Sequence, residues 1–232
     1  MAGNAVLSEH SGTVKRASRS AQENAYTSST WWYDVRGFGI LTFAYRDTLG
    51  SQIRFFERNI KSSHLEVAIG TGTLFSMILR RHKKHSDERP EKIVGIDYSP
   101  EMLEGSKRKF KGETGVALLL QDVTRLSFAD ATFDSINVAN ALHCFGDVDA
   151  AMSEISRVLK PGGVVALNAL LHPRGFAPSR WIANSINRWG IRKGILHTPF
   201  SKEEVLAQFE RCGLRVRENV TKGNCLFLLG QK

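Results

Sequence analysis

Leu65-Glu66-Val67-Ala68-Ile69-Gly70-Thr71-Gly72 is the stretch on which the fold of this chain turns. A short apolar run enters a Gly-Thr-Gly turn, and behind it Leu74, Phe75, Ile78 and Leu79 recur at the spacing of one helical face. A strand, a glycine turn and a helix start together let a ligand approach the backbone. Glycine takes the left-handed conformations a tight turn needs and leaves no side chain in the way. The pattern lacks the third glycine of the dinucleotide fingerprint, which argues against a nicotinamide cofactor.

Outward from that turn the chain alternates between strands and helices. Strands are predicted over 64–69, 92–96, 117–120, 135–139 and 164–169. One helix is predicted over 74–81, leaving Arg80-Arg81-His82-Lys83-Lys84-His85 as a basic, solvated connection to the next strand. A second starts with Ser99 as cap and Pro100 as first residue and carries Met102, Leu103, Ser106 and Phe110. A third covers 148–159 and is stopped by Pro161-Gly162-Gly163. The last runs from a Ser201/Glu204 capping box to Gly213, and residues 214–220 and 225–229 then form a hairpin around Lys222-Gly223-Asn224. This order predicts an α/β fold: a Rossmann-like, doubly wound sheet, mostly parallel, with an antiparallel C-terminal strand.

Open sheets of this kind bind ligands at the carboxyl ends of their strands. Two acids fall there. Asp97 ends the second predicted strand, and Asp122 follows the third within Gln121-Asp122-Val123. One carboxylate can accept both hydroxyls of a ribose while the other meets an adenine amino group. Taken singly, each could also be an exposed strand-end acid or a helix cap.

With these residues in this order, the chain resembles the class I S-adenosylmethionine-dependent methyltransferases, of the type 11/25 methyltransferase domain, over about residues 64–232. Leu65 to Gly72 is similar to the family's first motif, and Ile93 to Asp97 followed by Ser99-Pro100-Glu101-Met102-Leu103 to its second. Leu126-Ser127-Phe128, Phe133-Asp134 and Ala139-Asn140-Ala141-Leu142-His143 resemble the central block, and Arg157 to Gly163 the late signature. Two departures are Ala68 where many members carry Gly, which narrows the room beside the methionine part, and Glu66 in place of the commoner Asp. The resemblance implies S-adenosyl-L-methionine as cofactor and S-adenosyl-L-homocysteine as product. It implies that Glu66 orients the loop or reaches the methionine ammonium through water. Ala68, Gly70 and Gly72 would line the methionine and sugar, and Asp97 would hold the ribose. Met102 would pack on adenine, with core packing as its other reading, and Asp122 would take the adenine amino group. Asn140 would flank the ammonium or the methyl group, and Tyr98 and Val123 join the cofactor residues beside the two acids. No metal is implied.

The N-terminal part adds a looser similarity. Tyr33-Asp34, Ile40-Leu41-Thr42-Phe43 and Tyr45-Arg46 resemble the N-terminal helices of quinone-biosynthesis C-methyltransferases, in which the Tyr lies over the cofactor. The same aromatic stretch could serve as core cover. Residues 1–25, rich in Ser, Ala and Asn, are expected to be a disordered arm, 26–60 a helical cover, and 61–232 the cofactor-binding domain. Within that domain 171–200 is long for a connection and holds Arg174, Arg180, Arg188, Arg192 and Lys193 with no acid among them. It reads as a substrate lid, helical from 179 to 189, with Trp181 and His197 as substrate contacts; a basic surface helix is the other reading.

Methyl transfer needs alignment and desolvation, plus a base when the nucleophile must lose a proton. His143 is the candidate base; shaping the pocket is its alternative role. The expected acceptor is a small molecule, aromatic, quinol-like or anionic, at O, N or C. The runners-up are an RNA or protein methyltransferase and a non-catalytic cofactor-binding homologue. Asn140-Ala141-Leu142-His143 stands where amino-group methyltransferases carry Asn/Asp-Pro-Pro-Tyr, which argues against exocyclic amines. A net charge of +9 admits contact with a membrane surface or RNA through a basic face, and no DNA partner is expected. Three scattered cysteines, Cys144, Cys212 and Cys225, give neither a disulfide framework nor a zinc motif, so a cytoplasmic, reducing setting is expected. Arg16, Arg19 and neighbouring serines resemble a mitochondrial transit peptide only faintly, since Glu9 and Glu23 oppose it.

Overall fold

The computed structural model describes residues 47–87, 89–173, 177–192 and 199–232. Their elements, in chain order, are α1 (Leu49–Glu57), β1 (Ser63–Val67), α2 (Thr73–His85), β2 (Lys92–Asp97), α3 (Pro100–Lys109), β3 (Val116–Leu120) and β4 (Phe133–Val138). A single 3₁₀ turn (Leu142–Cys144) precedes α4 (Val148–Val158), β5 (Leu159–Leu170), α5 (Ala177–Arg192), α6 (Lys202–Arg211), β6 (Arg215–Lys222) and β7 (Cys225–Gln231). The sheet runs β3-β2-β1-β4-β5-β7-β6. The first five strands are parallel, and β7 lies antiparallel between β5 and β6. The predicted architecture is therefore present, and all five parallel strands end on one rim.

Local sequence explains the elements. Side-chain caps start several helices: Thr48 accepts from the Ser51 N–H, Ser99 from the Met102 N–H, and Asp147 from the Ala150 N–H. The Ser201/Glu204 capping box is complete in both directions. Alternation along the strands fills two apolar layers. On one face Leu65, Val67, Val94, Ile96, Ile136, Val138 and Val165 join Ile155, Val158 and Phe209 of α4 and α6. On the other, Ile93, Ala166 and Phe227 meet Phe55 and Phe56 of α1 and Phe75 and Ile78 of α2. Each such fully buried side chain contributes about 1.5–3 kcal/mol of transfer free energy.

Three expectations need correction. First, Pro161-Gly162-Gly163 does not stop the helix. α4 ends at Val158, Leu159 is already extended (φ −78°, ψ 131°), and the Pro-Gly-Gly lies inside β5. There the pairing with β4 jumps from Phe133–Leu159 to Ser135–Val164, with Gly162 at φ +77°. Proline keeps Lys160 out of the helical region, and the left-handed glycine makes the bulge possible. Second, the basic run 80–85 is the last stretch of α2 rather than a connection, and cations suit a helix C-terminus. Its His82 is buried with Nδ1 2.8 Å from the Glu57 carbonyl, and Arg81 Nε lies 3.1 Å from Glu57 Oε1, which ties α2 to α1. Third, β1 stops at Val67, because Ala68 turns to φ +54°. The expected arm (1–25) lies outside the described residues, as does all of the expected helical cover before residue 47. Among the described residues no helix is long and apolar enough to cross a membrane.

Candidate cofactor site at the carboxyl rim of the sheet

β2 delivers Asp97 to the rim directly beside the turn that follows β1. The Gly70 N–H donates to Asp97 Oδ2 at 2.7 Å, and the Ser99 N–H donates to Oδ1 at 2.9 Å. Burial pushes the Asp97 carboxyl above the usual range, while the backbone N–H groups of Ser99, Gly70 and Tyr98 pull it back down. The result is a desolvated carboxyl group held by backbone N–H groups, whose two oxygens together offer about four acceptor sites. A ribose diol would supply the missing donors.

The two glycines of the turn serve different ends. A Cβ added at Gly70 (φ +61°) would meet nothing within 4 Å, so this backbone faces open space. A Cβ at Gly72 (φ +75°) would lie 2.7 Å from Phe110 Cε2 and 2.9 Å from Ser106 Oγ, so this glycine lets the turn press against α3. Ser106 Oγ donates to the Gly70 carbonyl at 2.7 Å and fixes the turn from below. Across the rim, Cys144 in the 3₁₀ turn after β4 has its thiol pushed up to about 12, by burial first and then by the charge of Asp97. That thiol is therefore protonated at neutral pH. These residues fit an adenosine-bearing cofactor: an open backbone cradle, and a buried acid with no cationic side chain bonded to it among the described residues.

Asn140 sits just past β4 at φ +55°, a conformation Asn tolerates better than other non-glycine residues. Its N–H donates to Asn168 Oδ1 at 2.6 Å, and Asn168 Nδ2 donates back to Asn140 Oδ1 at 2.6 Å. Asn140 Nδ2 then donates to Gln52 Oε1 on α1 at 2.8 Å. Neither Gln52 nor Asn168 was among the predicted site residues. The signal for Asn168 is a lone amide in the apolar run 164–171, since a buried amide needs hydrogen-bond partners. Gln52 carries no comparable signal, because a glutamine in a helix is unremarkable.

The remaining predicted residues fall variously. Glu66 is buried in β1, with Oε2 3.3 Å from His64 Nε2, and His64 Nδ1 lies 2.8 Å from Ser135 Oγ. Its described contact therefore runs along the strand, beneath the turn. Met102 is enclosed, at 1% exposure. Asp122 is exposed at the end of β3, and its Oδ1 accepts from the N–H (2.9 Å) and hydroxyl (2.8 Å) of Thr124. Val123 packs against the apolar layer, and Tyr98 is exposed beside Asp97. His143 is buried in the 3₁₀ turn at the rim. Ala68, Gly70, Asp97, Asp122, Asn140 and His143 are thus all found where strands end. Trp181 is exposed on α5, while Tyr33 and His197 lie outside the described residues. Among the described residues no three His, Cys, Asp or Glu side chains cluster as a metal site would require.

Comparison with known proteins agrees with this geometry. Residues 65–167 match the family model described as a methyltransferase domain. The chain is 37% identical over 115 residues to a demethylmenaquinone methyltransferase of Bacteroides fragilis, covering 48% of this chain and 44% of that protein. It is 33% identical over 99 residues to a ubiquinone/menaquinone biosynthesis C-methyltransferase of Desulfotalea psychrophila, covering 43% and 37%. The chain thus spans about half the length, or less, of the curated relatives it matches. A putative methyltransferase structure from Bacillus halodurans superposes with a TM-score of 0.62 at 17% identity, covering 79% of this chain and 98% of that one. Strand order and family match converge on one region: residues 65–167 match a methyltransferase domain, and the sheet has the fold of the methyltransferase structure it superposes on.

Proposed function

We propose that this chain transfers the methyl group of S-adenosylmethionine to a ring carbon of a small, quinol-like aromatic acceptor. The observation that carries the reading is the pairing of Asp97, desolvated and with no cationic side chain bonded to it among the described residues, with the open backbone at Gly70. The names of the two relatives above support the acceptor class.

When bound, the cofactor supplies an electrophilic methyl on a sulfonium whose leaving group is already activated. The chain's own residues bind, orient and keep out water. Asp97 holds the ribose hydroxyls, the Gly70 backbone leaves the chain of the cofactor room, and Asn140 fixes the end of β4. A ring carbon becomes nucleophilic when a neighbouring phenol hydroxyl loses its proton, and His143 is the residue assigned to accept it. The α5 helix, with Ser185, Arg188, Ile191 and Arg192 along a groove of about 470 Å³, adds cationic and apolar surface that suits an oxygen-rich aromatic.

The test has two parts. Calorimetry should register binding of S-adenosylhomocysteine, and a folded protein giving no heat overturns the cofactor reading. Incubation with labelled S-adenosylmethionine and reduced naphthoquinols or benzoquinols should then yield a C-methylated product by mass spectrometry. Label entering only RNA or protein would overturn the acceptor class and leave the cofactor reading standing.

A further inference from the structure

The amides of Asn168, Asn140 and Gln52 form a chain whose direction is fixed. A backbone N–H can only donate, so the bond from the Asn140 N–H identifies its partner on Asn168 as the oxygen. The other end of that amide, Nδ2, is then the donor to Asn140 Oδ1, which leaves Asn140 Nδ2 to donate to Gln52 Oε1. The last atom in the series, Gln52 Nε2, is therefore a donor. Gln52 is 0% exposed, and its Nε2 has no acceptor among the described residues. A buried N–H without an acceptor has lost its solvation and gained nothing in return, so it is a place where a ligand atom is wanted.

Position identifies that atom. α1 descends from the carboxyl rim, where Gln52 meets Asn140, to the far edge, where Glu57 meets the last turn of α2. Its first turn therefore points its partly positive end toward the rim. The neighbouring strands β3, β2, β1 and β4 carry, in that order, Asp122, Asp97, the Gly70 turn and Asn140. If the two acids hold adenine and ribose, the amino-acid end of the cofactor falls on the β1–β4 side, beside Asn140. Just ahead of α1, next to its Thr48 cap, stands a complementary orphan. Asp47 Oδ1 accepts from the Ser51 hydroxyl, while Asp47 Oδ2 is buried and without a donor among the described residues.

We propose that Gln52 Nε2 binds the α-carboxylate of the methionine end of the cofactor, with Asp47 Oδ2 facing its ammonium, so that the first turn of α1 reads an α-amino acid. The inference rests on the cofactor reading above. Asn168 acts through Asn140 and is a positioning residue.

The test compares three ligands by calorimetry: S-adenosylmethionine, its decarboxylated form, which keeps the ammonium, and 5′-methylthioadenosine, which has neither group. The wild-type chain should prefer S-adenosylmethionine to the decarboxylated form. Gln52→Leu should weaken S-adenosylmethionine about 10–100-fold, the range expected for one lost hydrogen bond to a charged group, and leave the other two within about twofold. Gln52→Glu keeps an acceptor for Asn140 Nδ2 and sets a negative charge against the carboxylate. It should show the same selective loss, and it serves if the Leu variant does not fold. Equal weakening of all three ligands would make Gln52 a purely structural residue and overturn the inference, as would an unchanged preference. A wild-type chain that binds 5′-methylthioadenosine but not S-adenosylmethionine overturns it too. A folded wild-type chain that binds none of the three overturns the cofactor reading instead.

Discussion

Asp97 and Asp134 stand at opposite ends of the same sheet, and the difference between them separates the part of the molecule built to bind from the part built to fold. Asp134, near the start of β4, has Lys160 Nζ 2.8 Å from one oxygen and the Ser63 N–H 3.0 Å from the other. The bond to Lys160 holds its carboxyl below the usual range, against a smaller desolvation effect. Asp97, at the end of β2, has backbone N–H donors but no bonded cation among the described residues, and burial holds it above the usual range. The same residue type is stabilised as an anion at one rim and left short of partners at the other. A buried acid whose titration is shifted upward by desolvation, at the rim where the strands end, is the expected mark of a site that a ligand completes.

The sharpest way to break this comparison is to neutralise each acid in turn. Asp97→Asn should weaken cofactor binding by about 1.5–3 kcal/mol, the range for hydrogen bonds to a charged acceptor, with little loss of melting temperature at pH 7. The sign follows from its raised value: folding disfavours the charged form, so a neutral amide at this position relieves a desolvation penalty instead of losing a stabilising charge. Asp134→Asn should do the reverse, leaving affinity unchanged and lowering stability by under about 1 kcal/mol, since the Lys160 pair is partly open to solvent. Its contribution is present above the ordinary carboxylate range and disappears as pH falls through its lowered value, so the variant's acid limb should be shallower. Calorimetry and pH-dependent melting on the two variants decide the matter. Equal affinity loss in both would end the distinction between the rims.

Within the binding rim, Gly70 and Gly72 sharpen it further. Gly72→Ala drives a Cβ into Phe110 and Ser106 at positive φ, so stability should fall by about 2 kcal/mol or more, read as a lowered denaturation midpoint. Gly70→Ala meets open space, so only the backbone penalty of about 1 kcal/mol remains, while affinity for S-adenosylhomocysteine should drop several-fold. A Gly70→Ala chain that binds normally would show that no ligand passes that backbone.

Much of this was legible in the sequence, and the limits are physical. The succession of strands and helices along the chain follows from alternating patterns and from glycine turns, so β1 to β4 and the closing hairpin lie within about two residues of their expected bounds, while β5 begins five residues early, at Leu159. Asp97 stood out in the sequence only through its company, a glycine turn and a second strand-end acid on the same rim; alone it could equally be an exposed acid or a helix cap. The bulge at Pro161-Gly162-Gly163 was not, because proline and glycine break a helix and bulge a strand with the same letters. The amide series through Gln52 was not legible either. It joins residues 52, 140 and 168, and only tertiary packing brings them together.

The smallest effect bears on the rim itself. Ala68 and Asn140 end the neighbouring strands β1 and β4 at nearly the same left-handed angle, φ +54° and +55°. For Asn140 the strain is offset, because the turn aims its N–H and both ends of its amide at Asn168 and Gln52. Ala68 has no polar side chain with which to do the same. A β-carbon in this conformation costs roughly 1 kcal/mol, and glycine in its place gives back part of that gain through the entropy of a freer unfolded chain. Ala68→Gly should therefore stabilise the chain by about 0.5 kcal/mol, while Asn140→Gly, which removes both hydrogen-bonding ends of the side-chain amide, should destabilise it despite relieving the same angle. Opposite shifts in melting temperature are the expected result. Shifts of the same sign would mean that backbone strain alone governs both strand ends, and that the amides of Asn168 and Gln52 contribute nothing to holding the rim in shape.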